Sequence, residues 1–194
     1  NPKIDAPGGG SDFTSFFYKL GTPVVDLGFQ GPLGTYHSPY DDYRYASMFA
    51  DPGFVHHRTI AQTIGLMAIR LADADGLSYR FVPYVATLRD GQKAMNQSAT
   101  GANLTLGSGL SEAIARFASA AQAYDASGRD GGPQALQAAQ RIDLLAYSAK
   151  GYASVAFPVV AAAIATKSQA ALDTAVQTTT KELDAVTDLL TAER

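Results

Sequence analysis

The chain changes character near residue 53, and that change limits what it can fold into. Eight of its 18 glycines and six of its nine prolines fall within the first 53 residues, together with dense aromatics. Such a stretch reads as loops joining short elements. After it come long, Ala-rich segments whose apolar residues recur at helical spacing. With 194 residues and 46% hydrophobic side chains the chain can bury a real core. The expected class is therefore mainly α: an antiparallel helical bundle preceded by a small α/β remnant.

Within the first part, Gly8-Gly9-Gly10-Ser11-Asp12 is a flexible loop ending in two N-cap residues. Phe13, Phe16, Phe17 and Leu20 then predict a helix, and Gly21 fits the position just past its end. Pro23 to Phe29 reads as a short, largely buried strand. Too few strands follow to complete an α/β sheet. Asp41 to Ala50 predicts a short helix, and Asp51 to Asp75 a longer one with Pro52 near its start. Ile60, Ile64, Met67 and Leu71 mark one face of the longer helix. Helices are further expected over 82–97, along the stripe Leu110, Ile114, Phe117, Ala121 and Tyr124, over 134–149, and over a final segment marked by Leu172 to Leu190. Phe157-Pro158 opens or interrupts the segment between the last two.

Net charge is −3, so the chain lacks the basic stripe of a nucleic-acid surface. There is no cysteine, which excludes thiol catalysis, disulfides and thiolate metal sites within the chain. No run of 18 apolar residues is available to span a membrane. The start, Asn1-Pro2-Lys3-Ile4-Asp5, carries no initiator Met and no signal-peptide pattern, and reads as a cut into a longer protein.

Histidine is scarce. His56 and His57 are adjacent, so on a helix their side chains point about 100° apart and do not chelate one ion together. They read as surface or half-buried residues. His37 sits in Gly34-Thr35-Tyr36-His37-Ser38-Pro39-Tyr40-Asp41-Asp42, after the expected strand and before an acidic helix start. Ends of α/β strands are where ligands and metals bind, yet a lone histidine is a weak signal by itself.

Four segments, in order, resemble glutamate carboxypeptidase II and its relatives, the transferrin receptor-like zinc exopeptidases. They are Gly8 to Phe13 with Phe16-Phe17 and Leu20-Gly21; Tyr36-His37-Ser38 with Tyr40-Asp41-Asp42; Phe49-Ala50-Asp51-Pro52 running into Ala61-Gln62-Thr63 and Leu71-Ala72-Asp73; and Lys150-Gly151-Tyr152 with Phe157-Pro158. The resemblance is strongest over 8–77 and thin over 95–145. It implies that residues 1–52 are the end of a zinc-peptidase α/β domain and 53–194 a helical dimerisation domain. It implies that His37 is the last ligand of a two-zinc site and that Tyr36 hydrogen-bonds the tetrahedral intermediate or the substrate carboxylate. Gly8 to Gly10 would let the backbone approach the substrate, with Gly10 and Ser11 as substrate-binding positions, and Lys150 and Tyr152 would grip its C-terminal glutamate. A lysine with tyrosine hydroxyls suits a terminal carboxylate.

The family's arginines that favour an acidic residue before the cleaved bond have no counterpart in Asp26-Leu27-Gly28. The other zinc ligands and the general-base glutamate are expected upstream, so this chain alone is expected to be inactive. The resemblance implies a homodimer acting on a peptide, in an extracytoplasmic setting. Loss of the zinc ligands, as in the transferrin receptor, would instead make the parent a non-catalytic binding protein.

Overall fold

The protein is described here by a computed structural model covering residues 8–29, 31, 34–129, 131–150 and 153–192, with only the backbone of Ala149, Lys150 and Ala153. These residues form two compact units. One comprises residues up to Val24 together with Gly76 onward, and the other is Val25–Asp75.

The first unit is a helical bundle. Its elements are α1 (Phe13–Leu20), α4 (Val82–Gly101), α5 (Gly109–Ala126), α6 (Pro133–Ala146), a hairpin of β1 (Tyr147–Lys150) and β2 (Ala153–Ala156), α7 (Pro158–Ala165) and α8 (Gln169–Ala192). The long α8 packs against α5, α6 and α7. It buries Leu172, Val176, Leu183, Val186 and Leu190, the residues whose spacing predicted it. The expected α5 stripe, Leu110, Ile114, Phe117, Ala121 and Tyr124, is buried in full. Between these large side chains lie buried alanines, among them Ala113, Ala118, Ala121, Ala135, Ala138, Ala139 and Ala175. Small residues at the contact let helices approach closely, which is how an Ala-rich sequence reaches a dense core.

Helix ends in this unit are set by identifiable groups. The Asp125 carboxylate, arriving from α5, accepts the N–H of Phe81 at 2.8 Å and of Val82 at 3.0 Å, satisfying donors that α4 leaves free at its start. Gly21 closes α1 in the left-handed region, φ 63°, with its N–H on the Phe17 carbonyl at 2.9 Å and the Thr22 N–H on the Phe16 carbonyl at 3.2 Å. Pro158 opens α7. Phe157 before it is buried and held at φ 45°, an unusual backbone for a bulky side chain.

Three expectations need correction. The helix expected to reach Ala149 stops at Ala146, and the chain turns into the antiparallel hairpin with Tyr147 paired to Ala156 and Lys150 to Ala153. Pro23 to Phe29 forms no strand, and Val25 and Phe29 are exposed. A strand needs a neighbour for its backbone N–H and C=O groups, and the only paired strands among the described residues are those of the hairpin. Ser11 and Asp12 do not cap α1 with their side chains. The Ser11 carbonyl instead accepts from the Thr14 N–H at 3.1 Å and its hydroxyl at 2.6 Å.

The second unit holds α2 (Tyr43–Tyr45), which runs on as a π-helical turn (Ala46–Ala50), and α3 (Val55–Ala72). Although 18 residues long, α3 buries none of them. Ile64 and Leu71 lie on the expected apolar face, while Val55, Leu66 and Ile69 form a second stripe on the other side; all five are exposed. No described helix is long and apolar enough to cross a membrane.

Candidate functional site

Tyr36 and His37 lie in the first of two successive turns in the second unit. The Ser38 N–H donates to the Thr35 carbonyl at 2.9 Å, and the Asp41 N–H to the Ser38 carbonyl at 3.0 Å. The Ser38 hydroxyl oxygen accepts from the Tyr40 N–H at 3.2 Å. His37 occupies the left-handed region, φ 59°. That backbone costs an L-residue roughly 1–2 kcal/mol. Histidine is among the residues that tolerate it better. The Tyr36 ring stacks on the His37 imidazole with centroids 3.9 Å apart. Both side chains are exposed.

A denser polar cluster stands nearby in sequence. Asp51 is buried, with 5% of its surface exposed. Its Oδ1 accepts from the His56 N–H at 3.1 Å and from His56 Nδ1 at 2.9 Å. Its Oδ2 accepts from the His57 N–H at 3.0 Å and from His57 Nδ1 at 2.6 Å. An ionised carboxylate only accepts hydrogen bonds, so both Nδ1 atoms carry protons. Burial pushes the Asp51 carboxyl up, but these four bonds outweigh it and hold the group well below the usual carboxylate range. One carboxylate thus caps the start of α3 and fixes the tautomer of two imidazoles. Phe29 meets the His56 ring edge-on at 4.8 Å, and Phe54 meets the His57 ring edge-on at 5.4 Å.

This cluster corrects the expected start of α3. Pro52 lies in the preceding turn, and the helix begins at Val55 after Phe54 at φ 54°. The captured N–H groups of His56 and His57 set that boundary. The signal in the sequence was an acidic residue ahead of an apolar-periodic run, a helix-start pattern, with Asp51 acting from further upstream than an ordinary N-cap.

The remaining expected site residues belong to the first unit. Gly10 is exposed at φ 92°, a backbone that glycine alone adopts freely. Ser11 is exposed beside it. Lys150 ends β1, opposite Ala153. Tyr152 lies outside the described residues. Zinc sites take three or four protein ligands. Among the described residues no group of three or more His, Asp or Glu side chains is placed to hold a metal ion. Asp51 is already engaged by its two histidines, and His37 offers one ligand.

No family model and no solved structure matches the chain. Among curated proteins it is similar to a probable glutamate carboxypeptidase, LAMP1, of Arabidopsis thaliana, 36% identical over 97 residues, which are 50% of this chain and 14% of that one. It is similar to the aminopeptidase NAALADL1 of Mus musculus, 32% identical over 132 residues, 62% of this chain and 18% of the relative. A probable glutamate carboxypeptidase, VP8, of Zea mays is 33% identical over 86 residues, 44% of this chain and 12% of the relative. The chain spans less than a fifth of the length of these relatives. By these relatives the chain is tied to the glutamate carboxypeptidase II/transferrin receptor-like family.

Proposed function

We propose that this chain is the C-terminal part of a zinc-dependent exopeptidase whose full-length parent removes a residue from the end of a peptide. Residues 1–52 then belong to the end of the peptidase domain, and 53–194 to a helical domain that serves homodimerisation and completes the substrate pocket. The observation that carries the reading is the similarity of half or more of the chain to proteins named as a carboxypeptidase and an aminopeptidase.

Two features of the fold support it. The Tyr36-His37 turn presents an imidazole and a phenol side by side on an exposed loop, as a ligand and an adjacent hydrogen-bonding group require. The helix α3 is apolar on two sides and buries nothing. A helix with exposed apolar faces on two sides calls for a covering partner, which suits a chain that is part of a larger protein. In this reading His37 ligates one of two zinc ions and Tyr36 hydrogen-bonds the reacting group. Gly10, Ser11, Lys150 and Tyr152 contact the substrate. The other metal ligands come from the parent, and the 194-residue chain alone is inactive.

The test is an activity assay on the full-length parent. Its substrates are acyl-dipeptides ending in Glu and, because one relative is named an aminopeptidase, aminoacyl chromogens. Wild type, chelator-treated and His37→Ala proteins are compared. The reading expects hydrolysis that both the chelator and the substitution abolish. A folded parent that hydrolyses neither class, with or without added zinc, contradicts it and favours the transferrin receptor-like alternative.

A further inference from the structure

The loop before α1 has no side chains with which to hold itself in place. Gly8, Gly9 and Gly10 lack a Cβ, and Gly10 sits at φ 92°. The position of this loop must come from bonds to its backbone. At its end the Ser11 carbonyl accepts the N–H and the hydroxyl of Thr14, in the first turn of α1. At its start the Gly8 carbonyl accepts the Tyr18 hydroxyl, which reaches back ten residues to it at 3.0 Å. Tyr18 also bonds the Ser154 side chain of β2. A phenol has one proton, and a carbonyl only accepts, so the Ser154 hydroxyl is the donor to the Tyr18 oxygen. Burial pushes the Tyr18 phenol up, so it keeps the proton that it gives to Gly8.

The hairpin that carries Ser154 is itself firmly seated. Its base is closed by the Phe157 N–H on the Ala146 carbonyl at 3.2 Å. Tyr147 bonds Thr87 of α4 and packs against Phe17 of α1, with ring centroids 6.5 Å apart. The Tyr18 ring meets Phe17 edge-on at 4.9 Å. Gly91 of α4 lies so close to Ala156 and Phe157 that a side chain there would have to displace them. None of these contacts reaches the glycine loop. The Tyr18 hydroxyl does, and it bonds both segments.

We infer that Tyr18 is a positioning residue for substrate binding: its one hydroxyl ties the Gly8–Ser11 loop to β2 and so fixes the spacing of two segments that contact the substrate. This rests on the function proposed above, in which Gly10 and Ser11 on one segment, and Lys150 at the end of β1 on the other, contact the substrate. Tyr18 acts only through Gly8 and Ser154. Ordering a free glycine loop at the moment of binding costs conformational entropy and weakens binding, whereas a loop ordered beforehand avoids that cost. Such contacts hold substrate and transition state alike, so their loss shows in KM rather than in kcat. A phenylalanine would keep the ring against Phe17 and lose both bonds.

Two measurements test this. On the 194-residue chain, urea denaturation of wild type, Tyr18→Phe, Ser154→Ala and the double variant forms a cycle. Ser154→Ala should raise the unfolding constant about threefold in wild type and leave it unchanged in Tyr18→Phe, where its partner is gone. In the full-length parent, kcat and KM are measured on whichever acyl-dipeptide or aminoacyl chromogen the wild type hydrolyses best. Tyr18→Phe should raise KM about fivefold and leave kcat within about twofold. Ser154→Ala should raise KM too, and the double variant should show no rise beyond that of Tyr18→Phe. Asp125→Ala, which removes the cap of α4, should lower stability without moving KM. If Tyr18→Phe does not fold, Ser154→Ala decides. A cycle without coupling overturns the link. A KM that Tyr18→Phe leaves unchanged, or that Asp125→Ala raises equally, overturns the positioning role. A wild-type parent that hydrolyses neither substrate class fails the peptidase reading and takes the substrate role of Tyr18 with it; the cycle still reports on the link, so the two failures are told apart.

Discussion

At the scale of single residues, carboxylates do most of the local organising. Asp125 holds two backbone donors at the start of α4 with bonds of 2.8 and 3.0 Å. Asp125→Ala should lower stability by about 1–2 kcal/mol, the cost of a lost helix cap, measured by urea denaturation. Asp51 does the same for α3 and binds two imidazole rings besides. Its folded-state value is depressed, so its contribution is complete above about pH 4, the usual carboxylate range, and is lost only as pH falls well below that range. Asp51→Asn should raise amide exchange at the first turn of α3, and the increase should stay within that turn. The sequence marks Tyr36-His37, the spacing of His56 and His57, and Asp51 as an acidic residue at a helix start, but not the four bonds that Asp51 makes. Its bonds depend on a tight turn, with Gly53 at φ 79° and Phe54 at φ 54°, that brings the carboxylate back over the helix start. Residue types alone do not reveal such a turn.

Among elements, the helices were legible and the short strands were not. The stripes of α5 and α8 are periodic over 18 and 24 residues, and long amphipathic patterns are the firmest signal a sequence offers. The hairpin escapes because Tyr147-Ser148-Ala149-Lys150 follows α6 with no proline or glycine before Gly151. Its pairing is stabilised by packing on α1 and α4, which are distant in sequence. Pro23 to Phe29 errs the other way, since strand-like composition finds no partner here. Gly91 gives a test in which two effects oppose each other. Helix propensity alone says that Gly91→Ala stabilises α4 by about 1 kcal/mol. A Cβ there, however, would lie 2.9 Å from the Ala156 Cβ and 3.1 Å from the Phe157 ring. Overpacking of this kind costs about 1–3 kcal/mol, so Gly91→Ala should lower the thermal midpoint.

For the whole molecule, stability should peak on the acid side of neutrality. Asp143, on α6, is buried with the Tyr84 hydroxyl on its Oδ1 at 2.9 Å, and burial pushes its carboxyl up to about 6. That shift corresponds to at most about 3 kcal/mol between pH 4 and pH 7. Asp143→Asn should therefore raise the denaturation midpoint at pH 7.5 and leave it nearly unchanged at pH 4. The second unit stands in contrast to the bundle, for α3 exposes Val55, Ile64, Leu66, Ile69 and Leu71. Apolar surface of that extent marks an interaction face, and in the proposed parent the peptidase domain covers it. That larger body is also where the sequence stops being informative about chemistry. In the proposed reading His37 supplies one imidazole, and the two-zinc site would be a property of residues brought together from a much longer chain. The most direct measurement of the central claim is therefore the zinc content of the purified, folded full-length parent. About two zinc ions per chain, with a clear loss in His37→Ala, is the predicted result; a wild-type parent that retains no zinc and takes none up on dialysis against it would contradict the account.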